Sequence, residues 1–300
     1  MDLLGYGLIN LDDVIVVPTW ERDQKTTSAH AFYQVGGPVP VAMQAAQRLG
    51  MSTTFVGVVA DDLAGHMLEA RMNTFGIKTH IAFQSGTTSR SFVLIDQRDA
   101  SRTLVNIPGD GLGLPDIPLM ISRIQAGTIV HIDGRDLETD LMIAAHANAV
   151  GAQLSIDLGT MRNGRECLLE KCNIILASQN AARTLLPDYP NDHGRQIRKL
   201  QSFGADICGI TLAESGVIIA DASGIYRLPS YTVRTVVDTN GAGDTFHGAF
   251  LYAYGSRGLS TMEAANYAQA AVACRISHYG NDAGLPTHEI VTEFLVNYSL

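Results

Sequence analysis

The chain has 300 residues, 46% of them hydrophobic and 17% charged, and 21 Lys and Arg against 30 Asp and Glu leave a formal net charge of −9. This is a globular composition with room for one large domain, and it excludes a disordered chain. The acidic balance and the lack of any Lys/Arg run argue against a nucleic-acid surface, because neutralising phosphates takes clustered cations. A small-molecule partner is expected instead.

In chain order, "DLLGYGLINLDDVIVV" (2–17) predicts a strand and, after a polar interruption, a second strand. The Gly pair and early prolines of "GGPVPVAMQAAQRLG" (36–50) predict a loop leading into a helix closed by Gly50. The βα pattern then repeats. "TTFVGVVA" precedes the helix "DLAGHMLEARMNTFG", in which Asp61-Asp62 form an N-cap pair. "AGTIVHID" precedes "LETDLMIAAHANAVG", "AQLSIDLG" precedes a helical segment, and "CNIILAS" and "ADICGITLA" continue the series. Strands alternating with helices of about 10 to 15 residues imply an α/β doubly wound fold with a mostly parallel sheet.

Two segments, 12–35 and 87–108, carry strand-like runs with no helix between them. They are expected to form one small antiparallel β-layer over the core, acting as a lid or a dimer contact. "VIIADASGIYRLP" predicts a hairpin around Ala222-Ser223-Gly224, and Ser260 with Glu263 a capping box before "AANYAQAAVACRI". Cys167, Cys172, Cys208 and Cys274 lack metal-ligand spacing, so reduced structural thiols are expected and no zinc site is indicated. No stretch approaches the roughly 18 apolar residues of a membrane span, and "MDLLGYGLIN" has no basic leader, so a cytoplasmic protein without a membrane partner is expected.

The most informative stretch is "VVDTNGAGDTFHGAF" (236–250). "RTVV" (234–237) is expected to be a strand, "DTNGAGD" a loop beyond its carboxyl end, and "TFHGAFLYAYG" a helix with Phe246 and Phe250 one turn apart. Ligands of α/β sheets sit at such loops. The small residues leave the amides of Gly241, Ala242 and Gly243 open, and the helix N-terminus adds positive partial charge, which suits a phosphate. Asp244, in the first turn, suits a general base taking a proton from a hydroxyl that attacks a phosphoryl group. The plainer alternative is a tight turn with a helix-stabilising acid.

"DTNGAGDTFHGAFL" resembles the second signature of the ribokinase (PfkB) family of sugar kinases. "GYGLINLDD" is similar to that family's first strand and its substrate-binding aspartate, matching Asp12, with Asn10 two residues before. "GGPVPVAMQAAQRLG" matches the Gly-Gly helix entrance, and "GITLAESG" the nucleotide turn, which places Thr211 and Gly216 near a nucleotide. The resemblance implies a ribokinase-like fold, Asp244 as base, the 241–243 amides at the transferring phosphoryl group, and ATP with Mg2+. No Walker Lys motif occurs, so the anion hole would have to supply that function.

Three departures qualify it. Val41 stands where many members carry a sugar-binding Asn, which disfavours ribose. Ser178-Gln179-Asn180-Ala181 replaces N-x-x-E, leaving Asp157, through water, as the candidate metal acid. Ala213 replaces a Gly of the nucleotide turn. "HIDGRD" (131–136) is similar to the ketohexokinase branch, and "VGGP", "GAGDTFHGA" and "AGLP" to sulfofructose kinases, in which positions matching Lys25, Asn106 and Arg135 bind the sulfonate. Lys and Arg suit an anionic end. Alternatively, Lys25 is a solvated residue and Arg135 bonds a neutral hydroxyl or Asp136. His131 and His247 are expected to pack near the site, and Asp238 either supports the loop or joins a monovalent-cation site such as one for K+.

The resulting expectation is a single domain over 1–300, an ATP-dependent kinase of a ketose-like sugar and a homodimer through the β-layer. Asn10, Asp12 and Gly37 hold hydroxyls, Arg135, Lys25 and Asn106 an anionic end, and Thr211, Gly216, Gly241 and Gly243 the nucleotide. The rivals are a nucleoside kinase stacking a base on Phe32, Tyr33 or Phe92, and a non-catalytic sugar-binding regulator.

Overall fold

The computed structural model describes residues 2–113, 115 and 117–298. Thirteen strands occur among them: β1 (Leu3–Tyr6), β2 (Asn10–Val17), β3 (His30–Gly36), β4 (Thr53–Ala60), β5 (Lys78–Gln84), β6 (Arg90–Asp96), β7 (Arg102–Ile107), β8 (Ile129–Ile132), β9 (Gln153–Leu158), β10 (Ile174–Ser178), β11 (Ile207–Thr211), β12 (Val217–Asp221) and β13 (Gly224–Leu228). The helices are α1 (Pro38–Leu49), α2 (Leu63–Thr74), α3 (Ile117–Ile121), α4 (Leu137–Val150), α5 (Glu166–Leu169), α6 (Gln179–Leu185), α7 (His193–Gln201), α8 (Ala242–Leu251), α9 (Thr261–Arg275), α10 (Asn281–Gly284) and α11 (His288–Tyr298).

Nine strands form one sheet in the order β13-β12-β11-β10-β9-β8-β1-β4-β5, parallel except at the β11–β12–β13 edge. Both faces of the parallel region are covered, which explains why its strands read as near-continuous apolar runs. Adjacent residues feed opposite cores: Leu3, Phe55 and Ile174 pack with α1, α2, α8 and α9, while Leu4, Val56 and Ile175 pack with α4 and α7. Phe55 and Phe250 are fully buried, and truncating either to Ala should cost about 3–5 kcal/mol.

Local signals set the helix ends. Asp62 caps α2 through Gly65 N, Asp136 caps α4 through Thr139 N, and Ser260 and Glu263 form the reciprocal box at the start of α9. Gly248 lies where α8 crosses α1, and a Cβ there would meet Ala42 O at 2.1 Å. That close approach fixes α8 against α1 and therefore fixes where its N-terminus points. Among the described residues no helix is long and apolar enough to cross a membrane.

The second sheet has the order β3-β2-β6-β7. It is built from the two segments expected to form a separate layer, but only its outer pairs are antiparallel. The central β2–β6 pair is parallel, because the two hairpin-like insertions meet side by side. Two other readings need correction. Residues 234–237 are not a strand: no described strand pairs with them, and Val237 N and Asp238 N donate instead to Ile276 O at the end of α9. The edge strand β5 was not anticipated, since it is half-buried along its length and lacks a strong apolar run.

Candidate active site

The chain passes from β1 to β4 on one side and returns to β8 on the other, so the sheet order reverses between β1 and β8. Crevices at the carboxyl ends of such strands are the preferred ligand sites of α/β sheets. A cavity of about 550 Å3 lies there, between Leu8 after β1, Arg135 after β8, the second sheet, and the start of α8.

Strand register builds its polar wall. Gln34, Asp12, Ser91 and Asn106 stand side by side across β3, β2, β6 and β7, and paired residues share a face. Asn10 Nδ2 donates to Asp12 Oδ1 (2.7 Å) and Ser91 Oγ (2.9 Å), and Ser91 Oγ donates to Asn106 Oδ1 (3.1 Å). Asp12 Oδ2 accepts from Gln34 Nε2 (3.4 Å) and Asn240 Nδ2 (3.2 Å). Burial nevertheless raises the Asp12 carboxyl above its ordinary value, opposed by these hydrogen bonds. Gly37 has φ 103, and a Cβ on it would meet Leu8 O at 2.1 Å, so only glycine fits this corner.

The opposite wall is the 238–244 loop. Gly241, at φ 74, is the N-cap of α8. The N–H groups of Gly241 and Gly243 have no acceptor among the described residues, whereas Ala242 N donates to Thr239 O at 3.3 Å. Two of the three expected amides are therefore open, and the third is engaged within the loop. Asp244, in the first turn of α8, lines the cavity, and its carboxylate accepts no hydrogen bond from a described residue. Its pKa is raised well above the usual aspartate value by burial, with the nearby Asp157 and Asp12 charges adding and Arg102 and Arg275 opposing. An unpartnered carboxylate with raised basicity, one helix turn from open amides, can take a proton from a hydroxyl while a phosphoryl group is held beside it.

Asp157 does not line this cavity. It is buried at the end of β9, with His247 Nε2 at 3.5 Å from Oδ2, and His131, Asp157 and His247 offer ligand atoms all within 4.8 Å of one another. His131 Nδ1 meets Ser155 Oγ at 3.2 Å. Burial drops both imidazoles to about 3, so they are neutral, and it raises Asp157 to about 6.

Arg135 lies on the cavity wall with Asn106. Its Nε is 3.4 Å from Asp133 Oδ2 and its terminal nitrogens have no partner among the described residues. Its carbonyl and that of Gly134 accept from Arg165 (2.9 and 2.6 Å), which holds the turn. Asp136 instead accepts from Tyr6 Oη (2.9 Å) and caps α4. The structure thus brings together Asn10, Asp12, Gly37, Asn106, Arg135, Gly241 and Asp244. Lys25 stands apart, exposed in the 18–29 connection and outside the cavity walls. Thr211 ends β11 and Gly216 lies in the turn to β12, away from that cavity. Gly216 has φ 89, and a Cβ there would meet Leu228 O at 2.0 Å.

Five contributors were missed by the sequence reading, the first being Ser91, which lines the cavity and bridges Asn10 and Asn106. Gln34 and Asn281 are buried members of the same network, with Asn281 N donating to Gln34 Oε1 at 2.9 Å. Arg102, on β7, donates from Nη1 to Thr239 O (2.6 Å) and Oγ1 (3.1 Å), joining the second sheet to the loop. Arg275 is fully buried and bonds Asp238. No local motif marks any of them: apart from the short-range bonds of Arg275 to His278 and Asn281, the partners that define them lie tens to hundreds of residues away. Tyr33 and Phe92 pair in the Asp13 register, one residue out of phase with Asp12, and so project from the outer face of the second sheet.

The family profile described as pfkB family carbohydrate kinase matches residues 2–288. The chain is 26% identical to a ribokinase of Haemophilus influenzae over 96% of both proteins. It is 25% identical to a 5-dehydro-2-deoxygluconokinase of Geobacillus thermodenitrificans, over 98% of this chain and 93% of the relative. It superposes on the Arabidopsis thaliana ribokinase structure, complexed with ribose and ATP, with a TM-score of 0.80 at 19% identity, covering 98% of each chain.

Proposed function

The chain belongs to the pfkB family of carbohydrate kinases, phosphotransferases with an alcohol acceptor, and from that premise we propose that it transfers the γ-phosphoryl group of ATP to a primary hydroxyl of a ketose-like sugar bearing an anionic end. The observation that carries the reading is Asp244, a carboxylate without a hydrogen-bond partner among the described residues, raised in basicity and set in the wall of a cavity that also presents Asn10, Asp12, Ser91, Asn106 and Arg135.

In this mechanism Asn10, Asp12 and the Gly37 corner hold hydroxyls, and Asn106 with the free end of Arg135 pairs with a sulfonate or carboxylate. The acceptor oxygen forms its bond to the γ-phosphorus as the bond to the ADP oxygen breaks, and its proton passes to Asp244. The Gly241 and Gly243 amides and the α8 N-terminus stabilise charge on the transferring group. Thr211 and Gly216 flank the nucleotide, and the ATP complex of the Arabidopsis ribokinase supports ATP as donor. Mg2+ would be carried mainly by phosphate oxygens and water, and Asp157, which stands outside the cavity wall, could serve it only through water; when bound it would offset phosphate charge. The second sheet serves as lid, and Arg102 and Asn240 are its contacts with the loop. Its outer face exposes Tyr33, Phe92, Val105 and Ile107, which supports a homodimer through this sheet. Lys25 would join the anionic end only if the 18–29 connection folds inward on substrate.

The test is ATP turnover on fructose, 6-deoxy-6-sulfofructose, fructose phosphates, ribose and nucleosides. An anionic ketose is expected to give the highest kcat/KM. A preference for nucleosides would replace this reading with a nucleoside kinase, and binding without turnover on any sugar would indicate a regulator.

A further inference from the structure

Arg275 ends α9 with none of its surface exposed. Its guanidinium faces five oxygens. Nη2 donates to Asn240 O (2.7 Å), Asp238 Oδ2 (3.1 Å) and Asn281 Oδ1 (3.1 Å), and Nη1 to His278 O (2.9 Å) and Asp238 O (3.5 Å), while Nε reaches Asn281 Oδ1 at 3.3 Å. Only Asp238 carries formal charge, and it too is fixed, with Oδ1 accepting from Asn240 N (2.8 Å) and Oδ2 from Gly280 N (2.9 Å). The remaining partners are neutral carbonyl and amide oxygens. Such a shell with one carboxylate also resembles what replaces the hydration of a desolvated alkali cation.

We propose that the Arg275 guanidinium is a tethered cation that positions the phosphate-facing loop, standing where a free monovalent ion would otherwise be needed, so that phosphoryl transfer by this chain is independent of K+. The guanidinium binds the loop through Asp238 and Asn240, directly before the open Gly241 amide, and the 278–281 turn through His278 and Asn281. Asn281 in turn donates to Gln34 Oε1 (2.9 Å) and Val35 O (3.2 Å) on β3, and Gln34 Nε2 reaches Asp12 Oδ2. One buried cation therefore holds the amides that face the phosphoryl group and supports the strand that carries a sugar-side hydrogen bond. Arg275 is a positioning residue; it does not line the cavity. Its removal leaves inward-facing oxygens and one uncompensated carboxylate, a hole suited to a small cation.

The inference rests on the kinase reading for its activity readout but has a second readout that needs no substrate. Turnover of the wild type is measured in K+, Na+ and tetramethylammonium chlorides at constant ionic strength, and wild type and Arg275→Ala are melted in the same salts and with millimolar guanidinium. The wild type should vary less than about twofold among the salts. Arg275→Ala should lose about 100-fold in kcat, the scale for a displaced loop, and regain at least about tenfold with K+ or guanidinium in a saturable manner. Its melting temperature should rise by at least about 3 °C with those cations and not with tetramethylammonium. Strong activation of the wild type by K+, or a folded Arg275→Ala that keeps wild-type kcat or responds to none of the cations, would overturn the proposal. If Arg275→Ala does not fold, Arg275→Lys replaces it: partial activity without K+ supports the tethered charge, and K+-dependent activity contradicts it.

Discussion

Asn240 Nδ2 lies 3.2 Å from Asp12 Oδ2, so the loop that leads to Asp244 touches the Asp12 carboxylate although 228 residues separate them. The contact makes the position of Asp12 depend on the same loop that presents Gly241. Asn240→Ala removes one of the hydrogen bonds that hold the buried Asp12 in its charged form. Steady-state kinetics should show a rise in sugar KM of at least about tenfold, with the ATP KM changing little, as expected for a bond to a charged group worth roughly 1.5–3 kcal/mol. Equal effects on both substrates would place Asn240 on the nucleotide side.

Arg135 is half-exposed, its side chain pairs with Asp133 through Nε, and its turn is steadied by Arg165. Arg135→Ala should raise KM for an anionic ketose by about 10- to 100-fold, the scale of a charge-assisted pair, and leave a neutral ketose within about threefold. The ratio of kcat/KM on the two substrates measures this directly, and an unchanged ratio would remove the anionic end from the account.

Asp140 on α4 is buried, and neither carboxylate oxygen has a hydrogen-bond partner among the described residues. Burial, with Asp133 and Asp136 nearby, pushes its pKa up to about 8. A raised native pKa means that the native state holds a proton that the unfolded chain releases, so stability is lost as pH rises from about 4 to about 8. Asp140→Asn cannot lose that proton. Relative to wild type its stability should be unchanged in slope below pH 4, gain progressively up to pH 8 by on the order of 5 kcal/mol, and then level off. Thermal melts across that range check the slope.

The raised pKa of Asp244 gives activity the opposite sign. A general base works when deprotonated, so kcat/KM should climb with pH through a value above the ordinary aspartate range and not near 4. A pH-rate profile with its acid limb at the ordinary value would mean that bound substrate or another group sets the titration.

Much of this was readable in the sequence. The parallel core announces itself through repeated apolar runs such as 53–60 and 174–178, and the caps at Asp62 and Ser260 are local signals that local chemistry satisfies. The loop from Asp238 to Asp244 was legible because its small residues and its acids lie within seven positions. Residues 234–237 misled because β-branched composition suits an extended segment whether or not a partner strand exists. Gln34, Arg102, Arg275 and Asn281 were illegible for the converse reason: each is polar, isolated in sequence and defined only by where the fold delivers it. The parallel junction of β2 with β6 likewise follows from docking two insertions, which no period-2 pattern encodes.

The most direct measurement is the single-turnover rate of Asp244→Asn with saturating ATP and the best sugar of the panel, on protein whose melting profile shows it folded. The substitution keeps the shape of the side chain and removes only its ability to take a proton. The expected result is a fall of about 100- to 10,000-fold, the range for loss of a general base, with sugar and ATP binding retained. A folded Asp244→Asn that turns over at near wild-type rate would contradict it.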